Sequence, residues 1–285
     1  MTGVVHLLTT PLARARRLLG LPSPLAGRTV LITGASSGIG EATARAVAGR
    51  GAHVLLVARR SEELARVAQE IEEAGGGATA YTCDLTDETA VDELVAKVTA
   101  EHGGVDYLVN NAGRSIRRSL SLSYDRFHDV ERTMAVNFLG PVRLTLGLLP
   151  GMRERRFGHV VNIVTWGVQL KAPKFSAYVA SKTALDTWSR IAARETWRDD
   201  VTFTNVRFGL IATPMSAPTE AYGGRGRSPE WAAAKVVRAL EERPVSLDTL
   251  SGRIGEVAAI AAPRLADAAM ALADRVFADS KAAGR

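Results

Sequence analysis

A single cysteine, Cys83, stands in a chain of 285 residues. That scarcity excludes an intramolecular disulfide and any metal site built from several thiolates, and it fits a reducing cytoplasm. No apolar run approaches the roughly 18 residues of a membrane-crossing helix, so nothing in the sequence reads as a span. Aromatic residues make up only 6%, and no basic run is interleaved with them. A nucleic-acid partner is therefore not expected, despite a formal charge of +6 and a pI near 9.8. The positive balance points instead to small anionic partners such as phosphorylated cofactors, acyl-CoA or lipid headgroups. What is present is an ordinary globular mixture, 46% hydrophobic and 23% charged, enough for one large core.

From residue 28 onward short β-type runs alternate with longer helical stretches. The runs are Thr29–Thr33, His53–Ala58, Ala78–Cys83, Val105–Val109, His159–Val164 and Val201–Val206. Between them the spacing predicts helices from Glu41, over Ser61–Ala74, Asp87–His102, about Tyr124–Met152 and about Ser176–Trp197. Such alternation requires right-handed crossovers. The expected fold is therefore α/β, a single Rossmann-type doubly wound parallel sheet with helices on both faces. We expect this domain over 28–246, with a substrate lid at about 208–230.

Two extensions flank it. Residues 1–27 carry three arginines and no acid. Thr10-Pro11 reads as a helix start, with Leu8, Leu12, Ala15 and Leu19 on one face. This basic amphipathic helix either lies on an anionic membrane or packs on the protein's own surface or a partner subunit. Residues 247–285 show helical spacing at Leu250, Ile254 and Val257, a break at Pro263, then Leu265, Ala269, Leu272 and Val276. They are either a helix pair packed on the core or at a dimer interface, or a greasy cover over an acyl pocket.

Open parallel sheets bind ligands beyond the carboxyl ends of their strands. That rule selects Gly34–Gly40, Arg59-Arg60, Asp84-Leu85, Asn110–Gly113, Thr165–Gly167 and Phe208–Leu210. In Gly34-Ala35-Ser36-Ser37-Gly38-Ile39-Gly40 the glycines permit a tight turn, and the following helix N-terminus offers N–H groups to a pyrophosphate. At the end of the second strand, an acid would accept from a ribose diol and repel a 2′-phosphate. Arg59 and Arg60 stand there instead, and a guanidinium matches a phosphate in charge and geometry, which favours NADPH over NADH. Tyr178 and Lys182, four residues apart, share a helix face. A nearby ammonium favours the phenolate and tunes the phenol for proton transfer near neutral pH.

Thr33-Gly34-x-x-x-Gly38-x-Gly40, Asn110-Asn111-Ala112-Gly113, Asn137, Tyr178-x-x-x-Lys182 and Gly209-Leu210-Ile211-Ala212-Thr213-Pro214 occur in one order. From about 28 to 245 the chain thereby resembles the short-chain dehydrogenase/reductase family. The resemblance implies that Tyr178 donates a proton to a carbonyl oxygen. It also implies that Lys182 lowers the tyrosine pKa and holds the nicotinamide ribose, and that Asn137 orders a water. Thr165 replaces the usual serine, keeping the hydroxyl and adding a methyl group. For the cofactor, NADPH, it implies contacts from Gly34, Ser36, Ser37, Gly38, Ile39, Gly40, Arg59, Arg60, Asp84, Leu85, Asn111, Ala112, Gly113, Tyr178, Lys182, Gly209, Ile211 and Thr213. Asp84 would meet the adenine and Thr213 the nicotinamide amide. Phe208 stands where a proline is common and is expected to wall the nicotinamide pocket; Thr165, Met215 and Tyr222 are the other candidate substrate contacts.

Several stretches, Asn111–Ser119, Ser123–Thr133, Thr165–Gln169 and Arg207–Ala221, are similar to bacterial fatty acyl-CoA reductases of that family. This implies NADPH-dependent reduction of an acyl-CoA thioester to an aldehyde, or of a fatty aldehyde, with Arg114, Arg117 and Arg118 as candidates for CoA phosphates. Reduction of 3-oxoacyl thioesters, steroids or other ketones is the alternative, and an NADP-sensing module without turnover a further one. The family resemblance also implies a cytoplasmic homodimer or homotetramer, associating through the helices after the fourth and fifth strands.

Overall fold

A computed structural model of the chain describes residues 15–16, 18–217, 225–276 and 279. Seven parallel strands form one sheet in the order β3-β2-β1-β4-β5-β6-β7. They are β1 (Thr29–Thr33), β2 (His53–Ala58), β3 (Gly77–Thr82), β4 (Tyr107–Asn110), β5 (Gly158–Thr165), β6 (Val201–Phe208) and β7 (Ser246–Leu247). The helices are α1 (Gly38–Ala48), α2 (Ser61–Glu73), α3 (Glu88–His102), α4 (Phe127–Met134), α5 (Gly140–Glu154), α6 (Gly167–Leu170), α7 (Ser176–Glu195), α8 (Pro229–Glu242), α9 (Leu250–Ala261) and α10 (Pro263–Val276). The strand order reverses between β1 and β4, and that reversal opens the crevice where such sheets hold their ligands.

Period-two alternation sends neighbouring strand residues into two separate cores. Val30, Ile32, Val54 and Leu56 face the layer that holds Val47, Leu64, Val236 and Leu240. Leu31, Leu55, Leu108 and Val160 face the layer of Leu94, Val98, Leu144 and Leu148. Each fully buried Leu or Ile contributes about 2 kcal/mol. Both faces of the central strands are therefore apolar, which is why those strands read as unbroken hydrophobic runs.

The helix expected over Tyr124–Met152 is divided. It begins at Phe127, and between α4 and α5 the Ala135–Leu139 segment winds as a single wide π turn before the rod continues. An inserted residue of this kind re-aims side chains without ending the helix. Asn137, the fully buried residue of that turn, is the one re-aimed.

Of the N-terminal extension, Thr10, Pro11, Leu8 and Leu12 lie outside the described residues. Ala15 and Arg16 are helical, and Leu19 is exposed. The expected C-terminal helix pair is present, broken at Pro263. Among the described residues no helix is long and apolar enough to cross a membrane.

Candidate active site

The turn after β1 is held open by a backbone tie. Thr33 Oγ1 accepts the N–H groups of Asn111 (3.0 Å) and Ala112 (3.0 Å), while Asn111 Nδ2 donates to the carbonyl of Thr33 (2.9 Å). Gly34 adopts φ +65°, which a side chain disfavours. A methyl group on Gly40 would overlap the Gly34 carbonyl oxygen, so the turn closes onto the first turn of α1 without room for a Cβ. Ser37, the residue before α1, makes no capping hydrogen bond with its side chain, leaving the N–H groups of that helix end for a ligand. Ile39 lies within this first turn, and Gly38 faces Thr213, whose Cγ2 is 3.2 Å from where a Cβ would stand. The turn after β1 and the loop after β6 thus meet. This cradle fits a dinucleotide.

Arginines border the turn on its β2 side. Arg60 Nη2 donates to Ser36 Oγ at 3.1 Å, and Arg59 lies 3.6 Å from Asp84. Burial opposes ionisation of Asp84. Hydrogen bonds from the Thr86 N–H and hydroxyl, with Arg59 beside it, outweigh that and hold the carboxyl below its usual range. Leu85 differs from expectation in part: its side chain is core, with Gly140 packed on its backbone carbonyl. Cys83 is also buried, and burial pushes its thiol up to about 11, with Asp84 and Asp87 adding to the shift. Such a thiol is a poor nucleophile.

On the other side of the crevice, Gly113, Asn137 and Lys182 converge. A Cβ on Gly113 would be 2.8 Å from Asn137 Oδ1 and 3.3 Å from Lys182 Nζ. Asn137 Oδ1 accepts from the Arg114 N–H (2.8 Å), and its Nδ2 donates to the Arg114 carbonyl (2.9 Å) and to Ser181 Oγ (3.0 Å). Lys182 Nζ donates to the Ile163 carbonyl (2.8 Å), and burial lowers its pKa from 10.5 to about 8. Tyr178, one helical turn before Lys182 on α7, is half-buried, its ring 6.3 Å from Phe175. Thr165 ends β5 with its hydroxyl oxygen accepting the Gly167 N–H at 3.1 Å, an arrangement that leaves the hydroxyl proton to donate. Gly209 lies against the Trp166 ring, and Ile211 is buried in the loop below.

Two expectations need correcting. Phe208 does not stand as the wall of an open pocket. It is buried in the core with Ile163, Val206 and Ile211, its ring 6.1 Å from Trp231, because its strand parity turns it to that layer. Arg118 is not presented to solvent for a CoA phosphate: it is held by buried Asp129 at 3.1 Å, whereas Arg114 is exposed. Met215 is exposed at the mouth, and Tyr222 lies outside the described residues. Sequence reasoning overlooked Thr33 and Ser181 as positioning residues. Thr33 was visible only as the first letter of its motif, and nothing local distinguishes Ser181 from any helical serine.

Beside Ser176 and Ala177 lies a cavity of about 180 Å³ whose apolar lining includes Ile116, Leu120, Tyr124, Phe127 and Val130. A larger one, about 380 Å³, is bordered by Arg16, Arg28, Tyr107, Phe157 and Arg243 at the opposite edge of the sheet, and none of the motif residues reaches it.

The comparisons with known proteins agree with this geometry. The short chain dehydrogenase family model matches residues 28–222. A fatty acyl-CoA reductase of Acinetobacter baylyi is 46% identical over 258 residues, covering 90% of this chain and 88% of that one. The structure of a 3-oxoacyl (acyl-carrier-protein) reductase from Agrobacterium tumefaciens with NADP bound superposes with a TM-score of 0.71 at 30% identity, over 78% of this chain and 93% of that one. That of L-sorbose reductase from Gluconobacter frateurii, complexed with NADPH and L-sorbose, gives 0.72 at 29% identity, over 80% and 95%. The chain belongs to the short-chain dehydrogenase family, and it is an oxidoreductase of that family.

Proposed function

We propose that the protein reduces the carbonyl of a long-chain acyl-CoA thioester, or of the matching fatty aldehyde, with NADPH. The observation that carries the reading is the junction of Gly113, Asn137 and Lys182, with Tyr178 one turn away and Thr165 closing β5. A nicotinamide cofactor supplies hydride when bound. Gly34, Gly38 and Gly40 would cradle its pyrophosphate, Arg59 and Arg60 would receive a 2′-phosphate, and Lys182 and Thr213 would hold its nicotinamide end. The Thr165 hydroxyl donates to the substrate carbonyl and orients it. As the carbonyl carbon gains hydride, Tyr178 transfers its phenolic proton to the oxygen, and buried Lys182 stabilises the phenolate left behind. Asn137 orders the water through which that proton is replaced. A thioester so reduced is a thiohemiacetal, whose C–S bond breaks to give aldehyde and free CoA thiol. Buried Cys83 takes no part.

Long acyl substrates are supported by the 46% identity to a fatty acyl-CoA reductase and by the apolar side chains of Ile116, Leu120, Phe127 and Val130 in the cavity beside Ala177, whose other lining residues are mostly polar. Arg114, exposed at this edge, is placed to meet a CoA phosphate. Exposed Leu139 and Leu146, with Ile191 on α7, support self-association through these helices. Palmitoyl-CoA and NADPH should yield aldehyde and thiol; NADPH oxidation without thiol release sinks the thioester reading. The likeness to a 3-oxoacyl reductase favours a second reading, reduction of a 3-oxo group with the thioester intact. Product identification separates the two.

A further inference from the structure

The two C-terminal helices are packed in the reverse sense of an ordinary surface helix. α9 turns its glycines inward: a methyl group at Gly252 would overlap Gln169 Oε1, and one at Gly255 would overlap Leu170 Cδ2, both on α6. Its large apolar residues Leu250, Ile254 and Val257 recur at i, i+4 and i+7 on the outward side, and with Ile260 they are 61–78% exposed. α10 buries alanines and Met270 partially and exposes Leu265 and Leu272. A helix stabilised only by water-facing polar groups would have the opposite arrangement.

Charge is arranged with the same bias. Of the acids on these helices, Glu256 accepts from Gln169 and Asp274 is paired with Lys174 at 3.1 Å, which leaves Asp267 exposed. Arg264 and Arg275 lie exposed on the outward side of α10. An apolar stripe flanked by arginines is the pattern of a helix lying in a bilayer interface.

The face stands at the substrate mouth. Lys174, four residues before Tyr178, donates to the Asp274 carbonyl of α10 (2.9 Å), and the Ser119 N–H donates to Asp279 Oδ1, beyond the end of α10 (3.1 Å), so the C-terminal extension touches both loops that rim the cavity beside Ala177. That cavity, about 180 Å³, is well below the roughly 300 Å³ at which drug-sized ligand pockets begin, so a long acyl chain extends beyond it. Arg16, in the N-terminal extension, borders the cavity at the opposite edge of the sheet.

We propose that α9 and α10 dock the protein on an anionic lipid bilayer, with the mouth beside Tyr178 facing the surface from which a lipid substrate is drawn. The proposal rests on the lipid-substrate reading only for its purpose, and vesicle binding is measured without substrate. Full-length protein should co-sediment with phosphatidylcholine vesicles containing phosphatidylglycerol, and more weakly with phosphatidylcholine alone. The exposed substitutions Ile254→Asp with Val257→Asp should weaken vesicle binding by about tenfold or more. Arg264→Glu with Arg275→Glu should remove most of the preference for the anionic lipid. Reduction of a short, water-soluble aldehyde should be unchanged in both variants, which checks that they fold. Absence of vesicle binding by the unmodified protein overturns the proposal, as does equal binding by the aspartate variant. A dimer that the aspartates dissociate, without vesicle binding, assigns the face to a second copy and also overturns it. If vesicles bind but palmitoyl-CoA is not reduced, the substrate reading fails and the docking face stands.

Discussion

Among the described residues Lys182 has no carboxylate partner: its ammonium is buried against the Ile163 carbonyl, and burial brings its pKa from 10.5 to about 8. Between those values the unfolded chain holds a proton that the folded chain has released. Stability therefore rises with pH from about 8 to about 10.5, and the penalty, about 3 kcal/mol, is fully present below 8. Urea denaturation at about pH 7 and about pH 10 should show this rise in the unmodified protein and not in Lys182→Met. Activity runs the other way, because the ammonium is the form that stabilises the phenolate: kcat/KM should fall as pH passes about 8. Tyr178→Phe should lower kcat by about 10³-fold or more while NADPH binding, followed by fluorescence, persists. Arg59→Asp should reduce the preference for NADPH over NADH by about 10- to 100-fold, the worth of one charge-assisted hydrogen bond, measured as a ratio of kcat/KM values.

Elements position these groups by small departures from regularity. The π turn at Ala135–Leu139 brings Asn137 to Gly113, Arg114 and Ser181, and the turn after β1 closes because Gly40 has no Cβ. Gly40→Ala forces a backbone shift in the proposed pyrophosphate cradle, so titration should show weakened NADPH affinity with the sheet still folded. Arg207, the residue before Phe208 on β6, has a structural use. Its guanidinium pairs with Asp186 on α7 (2.8 Å) and with Asp248 before α9 (3.0 Å), tying the catalytic helix to the C-terminal extension. Asp248 is almost fully enclosed but also holds Arg253 (3.1 Å) and the Ser246 hydroxyl (2.9 Å), so Arg207→Met removes one of its three partners. Chemical denaturation should show a loss of about 1.5–3 kcal/mol, the worth of hydrogen bonds to charged groups.

For the molecule as a whole, the cofactor and the substrate side have separate supports. The residues proposed to meet the pyrophosphate of NADPH rest on the turn after β1, whereas the loop at Lys174 that rims the cavity is held by Asp274 of α10. Removing residues from Leu250 onward should therefore raise KM for a long acyl thioester far more than the dissociation constant of NADPH. Much of this plan was legible in the residues. Hydrophobic runs located β1, β2, β5 and β6 because both of their faces are buried, and the polar or glycine-bearing residues after each strand marked the ligand edge before any geometry was known. Phe208 was not legible, since a one-residue parity decides whether a strand-end side chain meets the core or the pocket. Nor was Arg118, whose partner Asp129 is brought to it by a turn of α4.

By itself the sequence determined the sheet, its crossovers and its chemical edge, since these follow from local periodicity and from glycines and polar groups at strand ends. Only the tertiary structure decided which side chains share that edge, and which way the C-terminal helices face. Helical spacing shows that Leu250, Ile254 and Val257 form a stripe. Whether the stripe points inward depends on what packs behind it, and there Gly252 and Gly255 take the space against Gln169 and Leu170.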